Sequence, residues 1–329
     1  PGTSGKFPVA LIIAGSGPTD RNGNSMLTKN DAYKKIAHEL AGAGIASLRY
    51  DKRGIAYSAK AMKKETELRF EDYINDAAGW IQLLRKDDRF STITVIGHSE
   101  GSLIGMVAAK LAGADGYVSV AGPGRPINVI MKEQYEKASK ELYELAAPIL
   151  DSLKKGITVA KVDLRLFNAL RPTVQPYMIS WIKYEPQKEF QNLQIPLMII
   201  QGTKDLQVPV EDASLLASAK KGAGLLVMQD MNHVLKTIKG DAEENAASYK
   251  DPSLPLAQGL RGAVEGERVQ RPHALRIAPG ETGVAQTAVS GDSRRCDQRP
   301  VLWSWFKTGS VAASPSRRSS RHRTTSPNC

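Results

Sequence analysis

The sequence predicts an α/β fold, a mostly parallel sheet flanked by helices, and three observations carry that reading. Short β-rich apolar runs alternate with amphipathic helical stretches through the first 260 residues, the pattern of parallel strands joined by helical crossovers. The chain has 329 residues, 41% of them hydrophobic and 24% charged, enough to bury a large core. No apolar run reaches the ~18 residues that a membrane span requires, so no span is expected.

Strands are expected at 9–13, 45–50, 93–96, 117–121, 197–200 and 225–228. Between the first two, Asn30 is placed to cap a helix whose apolar face is Tyr33, Ile36, Ala37, Leu40 and Ala41, ending at Gly42 or Gly44. Tyr73, Ala77, Trp80, Ile81 and Leu84 repeat that spacing before the third strand, and Leu103, Ile104, Val107 and Leu111 repeat it after. Residues 122–195 break the alternation: Pro148, Gly156, Pro172, Pro176 and Pro186 punctuate helical segments without a convincing strand. This reads as a helical insertion, with one helix over 130–147 and a dense group of Tyr177, Met178, Ile179 and Trp181 further on. Such a group serves either as core or as the wall of a pocket. The organisation expected is a core in two parts, 1–121 and 196–260, the insertion 122–195, and an atypical tail 261–329.

The net charge of +11 is uneven. Residues 1–260 hold 33 basic and 29 acidic side chains, and residues 261–329 hold 12 and 5. The tail also exchanges Lys for Arg, carries both cysteines, Cys296 and Cys329, and reads as solvated and disordered. Its aromatics are confined to Trp303, Trp305 and Phe306 and it has no RNA-recognition motif, so no specific nucleic-acid partner is expected. The chain opens Pro1-Gly2-Thr3 and enters a strand almost at once, so its N-terminal end reads as incomplete, and nothing in it assigns a compartment or an oligomeric state.

Residues 97–101 read Gly97-His98-Ser99-Glu100-Gly101, preceded by an apolar run and followed by a helical face. That is the strand, sharp turn and helix of a nucleophile elbow, in which glycines spare the turn a collision with its neighbours. A serine nucleophile needs a base, and the base an orienting carboxylate, in the chain order Ser, Asp or Glu, His. His38 lies off the apolar stripe, His98 points away when Ser99 points inward and is structural, and His273 and His322 are in the tail. His233 remains, just beyond the last strand. Asp205 stands at the carboxyl end of the fifth strand and is the expected acid, with Asp212 and Asp230 as competitors. The oxyanion hole is expected from the backbone N–H of Glu100 and of Ser16, with Gly17 as the alternative to Ser16. No His or Cys cluster has metal-ligand spacing, so neither metal nor cofactor is expected.

Six segments, AGSGPTDRNGN (14–24), RYDKRG (49–54), GHSEG (97–101), RPTVQPYMISW (171–181), QGTKDLQVP (201–209) and MNHVLK (231–236), give the chain a resemblance to the bacterial α/β-hydrolase esterases with a helical lid, the lysophospholipase-like or serine-aminopeptidase-like hydrolases. It spans roughly residues 7–256. The resemblance implies an α/β-hydrolase fold, Ser99, Asp205 and His233 as a triad, Ser16 and Glu100 as oxyanion donors, and 122–195 as the lid. It implies a serine carboxylesterase hydrolysing short-chain acyl esters, with a small-molecule ester as partner. Feruloyl-type esters, thioesters and peptides are alternative substrates, and a non-catalytic binding module is the alternative outside enzymes. The chain departs from the family's pattern in Asn22, in lacking one or two strands ahead of its first, and in a closing helix that turns Arg-rich near 261. Tyr177, Met178 and Trp181 are the expected substrate-pocket residues.

Overall fold

In the computed structural model, residues 5–62 and 64–265 are described; Cys296, Cys329, His273, His322 and the tail aromatics lie outside the described residues. The elements run β1 (Phe7–Ile13), α1 (Ala32–Gly42), β2 (Ala46–Arg49), α2 (Phe70–Arg85), β3 (Phe90–His98), α3 (Glu100–Ala112) and β4 (Gly116–Val120). Five helices follow, α4 (Ile127–Ala138), α5 (Lys140–Lys154), α6 (Phe167–Leu170), α7 (Gln175–Ile182) and α8 (Pro186–Gln191). The chain then returns to β5 (Leu197–Gly202), α9 (Val210–Ala219), β6 (Gly224–Met228), α10 (Ala242–Ser248) and α11 (Leu260–Glu265).

All neighbouring strands are parallel, in the order β2-β1-β3-β4-β5-β6. Because β1 is buried on both faces, its residues divide by the two-residue period. Val9, Leu11 and Ile13 join the core under α2, α3 and the inserted helices, whereas Ala10, Ile12 and Ala14 join a second core under α1 and α11. The chain leaves β1 toward β2 on one side and returns to β3 on the other. This reversal opens a crevice at the carboxyl ends of β1 and β3, where open α/β sheets place ligands.

The expected strands all form, and four local expectations change. The helix expected over 130–147 is two helices: Ser139 takes an extended conformation (φ −171°, ψ 150°), and its Oγ accepts the Leu142 N–H at 3.1 Å to start α5. Pro148 sits inside α5 instead of ending a helix. The cap of α1 moves by one residue, since Asp31 holds the cap position at φ 52° while the Asn30 side chain accepts the Ala32 N–H at 2.9 Å. Leu111, counted with the apolar face of α3, is exposed.

The boundary expected at 260 falls at the first residue of α11, whose Leu260 and Val264 are buried against α1. Among the described residues no helix is long and apolar enough to cross a membrane. Leu260 is completely buried, and Leu260→Ala is expected to lower the unfolding free energy by about 2–5 kcal/mol, read by urea denaturation. A loss under 1 kcal/mol would mean that α11 does not close this core.

Candidate active site

β3 runs directly into Ser99, whose backbone takes φ 54° and ψ −122° before α3 begins at Glu100. A non-glycine residue held there costs on the order of 1–3 kcal/mol. The surroundings enforce it. A Cβ on Gly97 would lie 2.3 Å from the Gly101 carbonyl oxygen, and one on Gly101 would lie 2.4 Å from that of Ile13. The two glycines therefore let the first turn of α3 rest on β3 and β1. From the other side, the Ser99 N–H donates to the Val120 carbonyl at 3.0 Å.

Asp205 follows β5, and His233 lies in the loop beyond β6. The His233 Nδ1–H donates to Asp205 Oδ2 at 2.8 Å, an oxygen that also accepts from Gln201 Nε2 at 3.0 Å. Asp205 Oδ1 accepts the backbone N–H groups of Gln207 and Val208 at 2.8 and 3.0 Å. Four donors thus fix the carboxylate, and the carboxylate fixes the ring. Nδ1–H toward Asp205 leaves Nε2 as the basic nitrogen. It makes no hydrogen bond in the structure, and His233 and Ser99 line one cavity.

The competing carboxylates are otherwise engaged. Asp212 is fully buried and takes the Gly124 N–H at 2.9 Å and the Arg125 guanidinium at 3.1 and 2.7 Å. The Asp230 carboxylate accepts from Gln229 Nε2 at 2.9 Å. His38 is exposed.

His98 is buried against His233, in a chain of hydrogen bonds that the sequence does not announce. The Gly15 N–H donates to the Tyr33 hydroxyl at 3.0 Å, the hydroxyl donates to His98 Nδ1 at 2.8 Å, and His98 Nε2–H donates to the His233 carbonyl at 2.8 Å. Burial and the neighbouring His233 ring push the His98 imidazole down to about 3. Tyr33 reads in the sequence as one more apolar-stripe residue, and Lys52 stands in the RYDKRG segment with no role attached to it. Only their places, on the helix after β1 and just beyond the carboxyl end of β2, point to the crevice.

Lys52 is 1% exposed and Glu100 3%. Lys52 Nζ donates to Glu100 Oε2 at 2.5 Å and to the Gly15 carbonyl at 2.7 Å, and lies 4.8 Å from the centre of the Tyr73 ring. The Tyr177 hydroxyl on α7 donates to the other Glu100 oxygen.

Two cavities meet at Ser99, Ser16 and Gly17. The larger, about 280 Å³, is walled by Tyr73, Met131, Tyr177, Met178 and Trp181 and also touches Glu100 and Lys52. The smaller, about 70 Å³, is lined by Thr28, Asn30, Tyr249 and His233. Ile179, grouped in the sequence with Tyr177, Met178 and Trp181, packs against the core and lines neither. Among the described residues no group of three His, Cys, Asp or Glu side chains is placed to hold a metal ion.

The depressed His98 value has a consequence for stability. Unfolded imidazole titrates near ~6.5 and binds protons that the folded state refuses. The stabilisation from keeping His98 neutral is therefore present above about 6.5 and is lost as pH falls toward about 3. His98→Gln is expected to lower Tm at pH 7 and to show a smaller further drop between pH 6.5 and 4 than the parent. Parallel Tm profiles would contradict this environment for His98.

The family described as serine aminopeptidase, S33, matches residues 26–177. Esterase EstD of Thermotoga maritima is 27% identical over 252 residues, 76% of this chain, and the chain spans 59% of the length of that relative. Among solved structures, Est1E from Butyrivibrio proteoclasticus with ferulic acid bound superposes with a TM-score of 0.50 at 16% identity, over 74% of this chain and 86% of that one. The chain has an α/β-hydrolase fold and is similar to bacterial esterases.

Proposed function

We propose that the protein is a serine carboxylesterase that hydrolyses short-chain acyl esters through an acyl-enzyme, with residues 122–195 as the lid over the acyl group. The observation that carries this reading is the strained Ser99 on its elbow, lining one cavity with His233, whose ring is aligned by Asp205. Ser99 Oγ attacks the ester carbonyl carbon as its proton passes to His233 Nε2. The tetrahedral oxyanion is held by the N–H groups of Ser16 and Glu100, the latter the first residue of α3 and so without an intrahelical partner. The C–O bond then breaks, the alcohol leaves with the Nε2 proton, and water repeats the sequence on the acyl-enzyme.

The two cavities support an assignment of the two arms of the ester. The leaving oxygen must receive its proton from His233, so the alcohol is assigned to the small cavity that His233 lines, where Thr28, Asn30 and Tyr249 supply polar groups. The acyl group then enters the larger cavity, which His233 does not line. At about 280 Å³ that cavity lies just under the usual ~300–1,000 Å³ of small-molecule sites, which suits a short chain better than a long fatty one. Its aromatic wall of Tyr73, Tyr177 and Trp181 favours, as a second reading, an aryl acyl group of the feruloyl kind.

Turnover of p-nitrophenyl acetate, butyrate and octanoate beside a feruloyl ester tests both readings. Ester turnover in the parent is expected to fall on the order of 10⁶-fold in Ser99→Ala with the fold retained. Residual activity above a tenth of the parent would remove Ser99 from the mechanism. Trp181→Ala, which enlarges the acyl cavity, is expected to raise the octanoate-to-butyrate ratio of kcat/KM by roughly tenfold. An unchanged ratio would place the acyl chain elsewhere.

A further inference from the structure

The buried Lys52–Glu100 pair is not explained by stability alone. Removing two charges from water is costly, and an apolar pair of similar volume is often as stable or more so. The pair also lies apart from the triad, touching none of Ser99, Asp205 or His233 by hydrogen bond. Its contacts run instead to both halves of the oxyanion hole.

The Gly15 carbonyl and the Ser16 N–H belong to one peptide unit, planar and trans, so they point in opposite directions. Lys52 Nζ, 2.7 Å from the Gly15 oxygen, therefore fixes the direction of the Ser16 N–H on the far side of the same plane. A cation bound to the oxygen also draws electron density from the nitrogen and makes that N–H a stronger donor. The partner charge sits on Glu100, whose own N–H is the second donor, so one ion pair spans the two. Gly15 is held at its other end as well, by the Tyr33 hydroxyl on its N–H. Tyr177 then closes the far side of Glu100 from α7, on the inserted helices.

We infer that the Lys52–Glu100 ion pair is the positioning element of the oxyanion hole: it aims and polarises the Ser16 N–H and, through Tyr177, makes the hole's geometry depend on the seating of α7. Lys52 and the Glu100 carboxylate are positioning groups, since neither need touch the reacting atoms. The inference rests on the esterase reading above, and deepens it by naming what preorganises transition-state binding.

The test uses the full chain and two variants. Lys52→Met/Glu100→Gln removes both charges at nearly constant volume, so no buried charge is stranded. Glu100→Gln alone keeps the Tyr177 contact and deprives Lys52 of its counter-charge. Active sites are counted by stoichiometric labelling of Ser99 with a fluorophosphonate, and kcat is expressed per labelled site, so that misfolded enzyme drops out. The double variant is expected to lose about 10–100-fold in kcat with KM within about threefold, approaching the ~10²–10³-fold cost of deleting one oxyanion donor. Glu100→Gln is expected to lose several-fold in the same pattern. Inhibition by butylboronic acid, whose serine adduct is tetrahedral, is expected to weaken in proportion to kcat/KM. Parent-level kcat per site in either variant overturns the inference, and so does an unchanged boronate affinity. Failure of the parent itself to turn over esters or to label at Ser99 would instead overturn the esterase reading, so the two failures are distinct.

Discussion

Where α3 leaves β3, its first turn rests on backbone and not on side chains: an added Cβ at Gly101 would lie 2.4 Å from the Ile13 carbonyl oxygen and 2.6 Å from that of Ala14. Contact this close fixes the height of the helix above the sheet, and with it the left-handed backbone of Ser99. The strain is offset by the apolar face that the same contact seats, since Leu103, Ile104, Met106 and Ala108 are essentially inaccessible. It also leaves little room for the loop after β1. A side chain at Gly15 would crowd His98 Nδ1 and Ser99 Cβ at 3.1 and 3.2 Å, so at Gly15 this loop passes the elbow as bare backbone.

What was legible in the sequence is what local pattern encodes. Strands buried on both faces appear as short apolar runs, which is why all six stood out, and the elbow announced itself because its steric demand is met by glycines at fixed offsets from Ser99. Asp205 and His233 were legible by position, each just past a strand's carboxyl end. The break at Ser139 was hidden because apolar periodicity continues through it, the only local sign being a serine able to accept an amide three residues on. The hydrogen bonds from Tyr33 to His98 and from Lys52 to Glu100 join residues 65 and 48 positions apart. No period or motif relates such partners; only the reversal of strand order between β1 and β3 brings them together.

The group on α7 shows why core and pocket were hard to separate in advance. Trp181 stacks nearly parallel on Phe70, with ring centres 5.4 Å apart, and Tyr177 packs edge-on to Tyr73. The same two side chains wall the larger cavity. A pocket built from the surface of a packed aromatic cluster is rigid in its walls, and the cluster itself is joined to α2 by the Phe70 N–H, which donates to Ser180 Oγ at 2.8 Å. The inserted helices are therefore anchored to the sheet layer close to the chemistry.

The unequal cavities on the two sides of Ser99 also bear on the order of events. On the reading proposed above, the acyl arm is enclosed by the inserted helices and the alcohol arm lies in the smaller space beside His233, so the alcohol departs while the acyl group stays attached. The space it vacates borders the imidazole that has just given up its proton. Whatever small hydroxylic molecule next fills that space meets a ready base and an electrophilic carbonyl, so the proposed reading entails a ping-pong order in which water competes with other alcohols for the acyl group. Partition between hydrolysis and transfer then depends on how well the walls around Thr28, Asn30 and Tyr249 hold an alcohol in preference to water.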